Sequence, residues 1–248
     1  MKYGMPALVE FKSIKENVQF AKENNFSFIE LNMNIPYCFE LKKNELQKYD
    51  FDFTMHLTEE FNIGELNNSL RKKYLKEIKK QIKLGISNNI KRYTIHLNAG
   101  TYFTLPTGKI FINNIYIKKY KANIKKSLDI LNKIAKKYNI YINFENTNIF
   151  DFTKVAIDLI NKYDYLGFTL DIGHNEKDES KALNLFKNKI RHIHMHDYNG
   201  KSDHLTINTG NIDFTKYKEY MNNNYVLIEV KESNELIKSL KNINKIIC

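Results

Sequence analysis

Short apolar runs of four or five residues recur along the chain, and longer stretches with helical spacing separate them. Residues 2–5 read as a first strand. Ser13 then opens a helix to about Asn24, with Glu16 three positions on as a capping box and Ile14, Val18 and Ala21 on one face. Strands follow at 28–31, at 51–55 ending on His56, and at 92–95 ending on His96. A short helix is expected near 42–48 and a strongly amphipathic one over 69–84. Residues 97 to about 114, with Gly100, Pro106 and Gly108, read as a long loop. Residues 116–137 form a long helix striped by Ile124, Leu128, Leu131 and Ile134. Strands at 140–144, 167–170, 192–195 and 225–228 end on or next to Glu145, Asp171, His196 and Glu229. The intervening helices span 153–162, 179–188 and 215–222, the last capped by Asp213, and a final helix spans about 234–243.

Eight strands in strict alternation with eight helices demand parallel strands joined by crossover helices. Eight such units close a barrel, and 248 residues is the usual size for one. The expected fold is therefore α/β, a single (β/α)₈ TIM barrel over residues 1–248. A doubly wound open sheet is the runner-up, but the chain has no Gly-rich phosphate turn after an early strand.

Within this frame residues 192–204 stand out. They hold four of the seven histidines and two aspartates. His192, His194 and His196 alternate with Ile193 and Met195, so in a strand the histidines share one side. The other histidines are His56, His96, His174 and His204, and none falls in a predicted helix. His56, His96, Glu145, Asp171 and Glu229 end strands, and in a parallel barrel all those ends meet on one rim. Glu30 also ends a strand and is open to two readings, a substrate contact or a structural hydrogen bond. His196 and Asp197 lie just past a strand end. Glu229 has Lys231 two positions on, so a simple ion pair is the competing reading, and Asp171 could merely cap the next turn.

Composition changes the picture little. The formal charge is +11 and the pI about 9.3, which allows an anionic partner, nucleic acid or phosphorylated substrate. The lysines are spread over many helical faces without a basic run interleaved with aromatics, so nucleic acid is the lesser expectation. The two cysteines, Cys38 and Cys248, lack metal-ligand spacing and fit a reducing compartment. No signal-like or membrane-length apolar stretch is present, and the expected location is the cytoplasm, without a membrane partner.

Carboxylates and imidazoles on one rim suit a divalent metal, Mn, Mg, Co or Zn. Such a site supports two chemistries, proton transfer beside a sugar carbonyl and phosphoester hydrolysis. Phe-Glu-Asn-Thr (Phe144–Thr147), Leu-Asp-Ile-Gly-His (Leu170–His174), His-Met-His-Asp (His194–Asp197) and Leu-Ile-Glu (Leu227–Glu229) together resemble the xylose isomerase-like barrel superfamily. That superfamily includes sugar and sugar-phosphate isomerases and epimerases, and the endonuclease IV type of abasic-site nuclease. The resemblance implies a single metal on Glu145, Asp171, His194 and Glu229, with Glu145 and Glu229 as the acid–base pair. It places His174 against substrate. In the nuclease branch, positions matching His56, His96, His174 and His204 hold further zinc, with an aspartate two residues before the last. Here that position is Ser202, and Asp203 is displaced by one; Asn208–Gly210 replaces the usual Gly-Glu-Gly.

The favoured expectation is thus a metal-dependent isomerase or epimerase acting on a small sugar or sugar phosphate. In it His56, His96, His174 and His204 line the site or bind a second metal. A zinc abasic-site endonuclease and a non-catalytic barrel are the alternatives, and a homodimer follows by family analogy alone.

Overall fold

The computed structural model describes residues 1–179, 181–186 and 189–247. Eight parallel strands close a barrel: β1 (Lys2–Pro6), β2 (Phe28–Asn32), β3 (Asp52–His56), β4 (Arg92–His96), β7 (Tyr141–Glu145), β8 (Leu166–Asp171), β9 (Ile190–Met195) and β10 (Tyr225–Ile228). Each pairs with its sequence neighbour, and β1 closes the ring on β10 through Lys2↔Tyr225 and Gly4↔Leu227. The expected architecture is the observed one.

The helices cover the outside. Helix α1 (Ile14–Glu23) starts as expected: the Glu16 N–H donates to Ser13 Oγ at 3.2 Å. The Glu16 carboxylate reaches back to the N–H of Lys12, one residue earlier than a strict capping box. Two long helices, α3 (Asn68–Ser87) and α5 (Ile117–Tyr138), bury Leu75, Ile78 and Ile82, and Ile124, Leu128 and Leu131. Helix α6 is Asp151–Ile160 and α10 is Ser233–Ile247. No helix among the described residues is long and apolar enough to cross a membrane.

Three local expectations are corrected. The helix expected near 42–48 is only a 3₁₀ turn, Glu45–Lys48, preceded by a short helix α2 (Pro36–Phe39) with proline in its first turn. The stretch 97–114 is not simply a loop. It holds an antiparallel hairpin, β5 (Tyr102–Leu105) and β6 (Gly108–Phe111), followed by the short helix α4 (Ile112–Ile115). Gly108 sits at φ +124°, a turn conformation that suits glycine. The helix expected over 179–188 is observed as α8 (Lys181–Phe186), and a separate short helix, α7 (Ile172–Lys177), precedes it; positions 180, 187 and 188 lie outside the described residues, as does Cys248. The Asp213 cap is present, but its first turn is 3₁₀ (Phe214–Tyr217) before α9 (Lys218–Asn222).

The barrel strands alternate, and the polar face is the one turned inward. Ile29, Leu31, Met55, Tyr93, Ile95, Ile142, Phe144, Phe168, Leu170, Ile193, Met195, Val226 and Ile228 all belong to the apolar core shared with the helices. The residues between them meet across the interior: Thr94 Oγ1 lies 3.0 Å from Thr169 Oγ1, and the Thr54 hydroxyl donates to Glu30 at 2.9 Å. Branched apolar side chains commonly fill such an interior. Here its upper half is carboxylates, imidazoles and hydroxyls, and that polar column positions the site.

Candidate metal centre

The inward alternation brings polar residues to the upper strand ends, so the C-terminal rim gathers Glu145 from β7, Asp171 from β8, His194 from β9 and Glu229 just after β10. His194 Nδ1 lies 3.2 Å from Glu145 Oε1 and 3.1 Å from Glu229 Oε2. One ligand atom from each of Glu145, Asp171, His194 and Glu229 falls within 4.8 Å of all the others. Two ligands of one ion, each about 2.1 Å away, stand about 3–4.2 Å apart, so the four atoms are near the spacing that one shared ion needs.

The donor chemistry fits a cation. Asp171 Oδ2, His194 Nδ1 and Glu229 Oε2 are buried without a hydrogen bond of good geometry. The ion-pair partners of Glu145, Asp171 and Glu229 among the described residues are histidines alone, with no lysine or arginine. Buried carboxylates need such compensation. Three oxygens and one nitrogen make a borderline-hard set suited to Mg, Mn, Co or Zn.

The histidines expected around this set divide into two groups. His56 and His96 approach Glu145 Oε2 at 3.1 and 3.4 Å. His174 and His204 gather with His196 on the other side, and the His196 and His204 ring centroids are 4.2 Å apart. His196 Nε2 lies 3.1 Å from Asp171 Oδ1, and the His204 N–H donates to His196 Nδ1 at 2.8 Å. His204 takes φ +54°, a left-handed backbone unusual for a non-glycine residue and a recurrent feature of functional sites.

Electrostatics follow from burial and pairing. Burial pushes the Glu145 carboxyl up, but His194 and His96 outweigh it and hold it well below the usual carboxylate range. Asp171 is lowered in the same way, with His196 and His174 opposing burial. Burial pulls His194 down, yet Glu145, Glu30 and Glu229 carry it well above the ordinary histidine value. His56 is raised to about 9 because its bond to Glu145 overcomes burial. Burial dominates for His192 and His204, whose values fall.

Several expectations change at this level. His174 does sit in a helix, the first turn of α7, because the Asp171 carboxylate caps it by accepting the His174 N–H at 2.7 Å. Capping and facing the site are thus both true of Asp171. Glu30 resolves toward structure: its oxygens lie 3.1 Å from His192 Nε2 and 3.0 Å from His194 Nε2. Glu229 faces His194 and His204 rather than Lys231. Asp197 accepts backbone N–H groups from Tyr198, Thr209, Gly210 and Ile212, which makes it the organiser of the following loop. Asp203 pairs with Lys177 at 3.2 Å.

A cavity of about 230 Å³ opens over the set, and its lining includes Glu30, Asn32, Glu59 and Lys231 besides the histidines. Asn32, Glu59, Lys231 and His196 were not singled out as site residues by sequence reasoning. Asn32 had a readable signal, since it extends the inward alternation of Phe28 and Glu30. Asn146 was readable as part of Phe-Glu-Asn-Thr. Its amide accepts the Asp171 N–H at 2.8 Å and donates to the Asp171 carbonyl at 2.9 Å, tying two ligand-bearing strand ends together.

Residues 18–245 match the family model described as xylose isomerase-like TIM barrel. The chain belongs to this family. An uncharacterised protein of Methanocaldococcus jannaschii is 30% identical over 180 residues, 70% of this chain and 67% of that one. Among solved structures, a D-tagatose 3-epimerase-like protein superposes with a TM-score of 0.77 at 25% identity, covering 100% of this chain and 98% of its own. The Escherichia coli 3-keto-D-glucoside 4-epimerase matches with a TM-score of 0.77 at 18% identity over 99% of both chains. IolI, solved with a zinc atom, has a TM-score of 0.77 at 14% identity and covers 100% of this chain and 98% of its own. At those lower identities the likeness is one of fold.

Proposed function

We propose that this xylose isomerase-like barrel is a divalent-metal-dependent isomerase or epimerase of a small sugar or sugar phosphate. The observation that carries the reading is the convergence of Glu145 and Glu229, from two strands, on the same face of the His194 imidazole with Asp171 alongside. Two carboxylates on one centre supply what inversion beside a carbonyl needs: one to take the proton and one to return it. The sugar epimerases among the structural relatives support the same class.

In this reading Glu145, Asp171, His194 and Glu229 would hold the ion, which when bound would supply a Lewis acid beside the substrate carbonyl. Glu145 is kept ionised by His194, His96 and His56, so it stands ready as a base. One glutamate removes the proton from the carbon beside the carbonyl, and the C–H electron pair moves into the carbonyl. The other glutamate delivers a proton to the opposite face of that carbon, the electron pair returning from the enolate, for epimerisation; for isomerisation the proton goes to the former carbonyl carbon while the hydroxyl proton of the neighbouring carbon passes to the former carbonyl oxygen. Lys231 in the lining of the polar cavity offers a cation to a phosphorylated or otherwise anionic end.

The test is solvent exchange. Ketohexoses and their phosphates incubated in D₂O with manganese-loaded protein should lose a C–H signal by NMR. Glu145→Gln or Glu229→Gln should cut the rate by about 10²–10⁴-fold, and chelation should abolish it. The same rate in both variants would overturn the assignment.

A nuclease reading is favoured by one observation, that two of the three further ligand groups, His56–His96–Glu145 and His174–His196–His204, lie at the rim. Against it, Asp203 is engaged with Lys177 and Ser202 brings no carboxylate to the second group. Chelator-sensitive incision of abasic DNA, without sugar exchange, would decide for that reading.

A further inference from the structure

The other mouth of the barrel, at the N-terminal strand ends, holds a second cavity of about 470 Å³. It is lined by Lys2, Arg92, Tyr141, Arg191 and Tyr225 with the asparagines at 222–224, and no acidic side chain among the described residues lines it. Asp52 stands nearby, paired with Lys2 at 3.0 Å.

Arginine is scarce in this chain. Of 39 basic residues, Arg71, Arg92 and Arg191 are the only arginines. Arg71 is buried and bonded to Ser127. The other two both face this cavity. If the mouth needed only positive charge against the helix C-termini around it, lysine would serve as well as it does everywhere else.

The guanidinium groups are held flat and keep donors to spare. Arg92 Cζ lies 3.9 Å from the centre of the Tyr225 ring, and Arg191 Cζ lies 4.3 Å from that of Tyr141. Arg92 makes no hydrogen bond or ion pair among the described residues. Arg191 donates from Nη2 to the Asp164 carbonyl at 2.7 Å, while its buried Nη1 has no partner. Tyr141 is also the residue paired with Arg92 across β4 and β7, so the two forks are neighbours. A register shift between β8 and β9 pairs Phe168 with Ile190 but Thr169 with His192, which leaves Arg191 at an irregularity. Such bulges re-aim side chains.

We propose that this mouth binds a phosphate dianion, free or as the ester group of a small molecule, through Arg92 and Arg191 with Lys2 adding charge. Planar forks match phosphate oxygens in pairs, and the Arg92 fork has no hydrogen-bonded side-chain partner among the described residues to give up. The site is distinct from the metal centre at the opposite end and does not depend on how that centre is read.

Isothermal titration of the full chain with inorganic phosphate, and separately with a hexose phosphate, tests the proposal. Saturable binding should weaken about tenfold or more in Arg92→Gln and in Arg191→Gln. Arg191→Lys, which keeps the charge but not the fork, should also weaken it, and circular dichroism checks that each variant is folded. Glu145→Gln, at the other end, should leave the binding of inorganic phosphate unchanged. Ester binding that is tighter than that of inorganic phosphate and is weakened in Arg92→Gln and Arg191→Gln would identify the ester as the ligand of this mouth, and equal binding of the two, weakened in the same variants, would identify the free ion. No saturable binding of either probe at millimolar concentration, or binding kept in the arginine variants and lost in Glu145→Gln, would overturn it.

Discussion

Glu30 shares one carboxylate between His192 and His194, and Thr54 donates to the same group. Because a carboxylate only accepts, its place 3.0 Å from His194 Nε2 favours a proton there, which leaves Nδ1, toward Glu145 and Glu229, as the atom that would take a metal in the proposed site. An outer carboxylate of this kind is worth roughly 10–100-fold in metal affinity. Glu30→Gln is therefore expected to weaken zinc or manganese binding by that factor in a chelator-competition titration. Unchanged affinity in a folded variant would contradict the assignment. Glu30 shows how far residue-level reading goes. Its place on the inward face was legible from the alternation, but its partners come from a strand about 160 positions away. His196 and Asp197 stayed ambiguous for the same reason: which one turns inward depends on where β9 lets go, and neither spacing nor composition marks that point.

Among elements, the strands were the most readable and the pieces between them the least. Each barrel strand carries its own short alternation, and β2, β3, β4, β7 and β8 stop on a polar residue, so their existence and their site-facing ends are local properties. The β5–β6 hairpin escaped because its signal is not alternation. Tyr102, Phe103, Leu105 and Ile110 are all exposed, so no burial pattern marks it, and only strand propensity with the Pro-Thr-Gly turn does. Helix α7 escaped because a caps-and-glycine stretch of six residues reads as a turn. Its first turn packs so closely on β9 that a Cβ at Gly173 would run into the His196 ring. Gly173→Ala is expected to cost about 1–3 kcal/mol in urea unfolding and to weaken metal binding through the displaced imidazole. Wild-type stability and affinity in this variant would show that the helix and the strand are free to separate.

Across the whole molecule, the fold is dictated by a repeated unit, whereas the centre exists only after closure. Strict alternation of strands and helices prescribed the barrel, and the barrel prescribed that distant strand ends share a rim. The pairing of particular atoms followed from register: β9 on β10 sets His194 beside Leu227, two residues before Glu229, and β8 on β9 sets Asp171 beside His194. The net charge of +11 said little, because the lysines are spread over the helices while the carboxylates that matter are inside. The central claim is that Glu145, Asp171, His194 and Glu229 form one metal site. Native mass spectrometry of the chelator-stripped chain, titrated with limiting manganese or zinc, tests it most directly. The account predicts that the first ion per chain binds tightly in the wild type and that Asp171→Asn and Glu145→Gln each lose it. A wild type that retains no ion, or variants that retain the first ion as tightly, would contradict it.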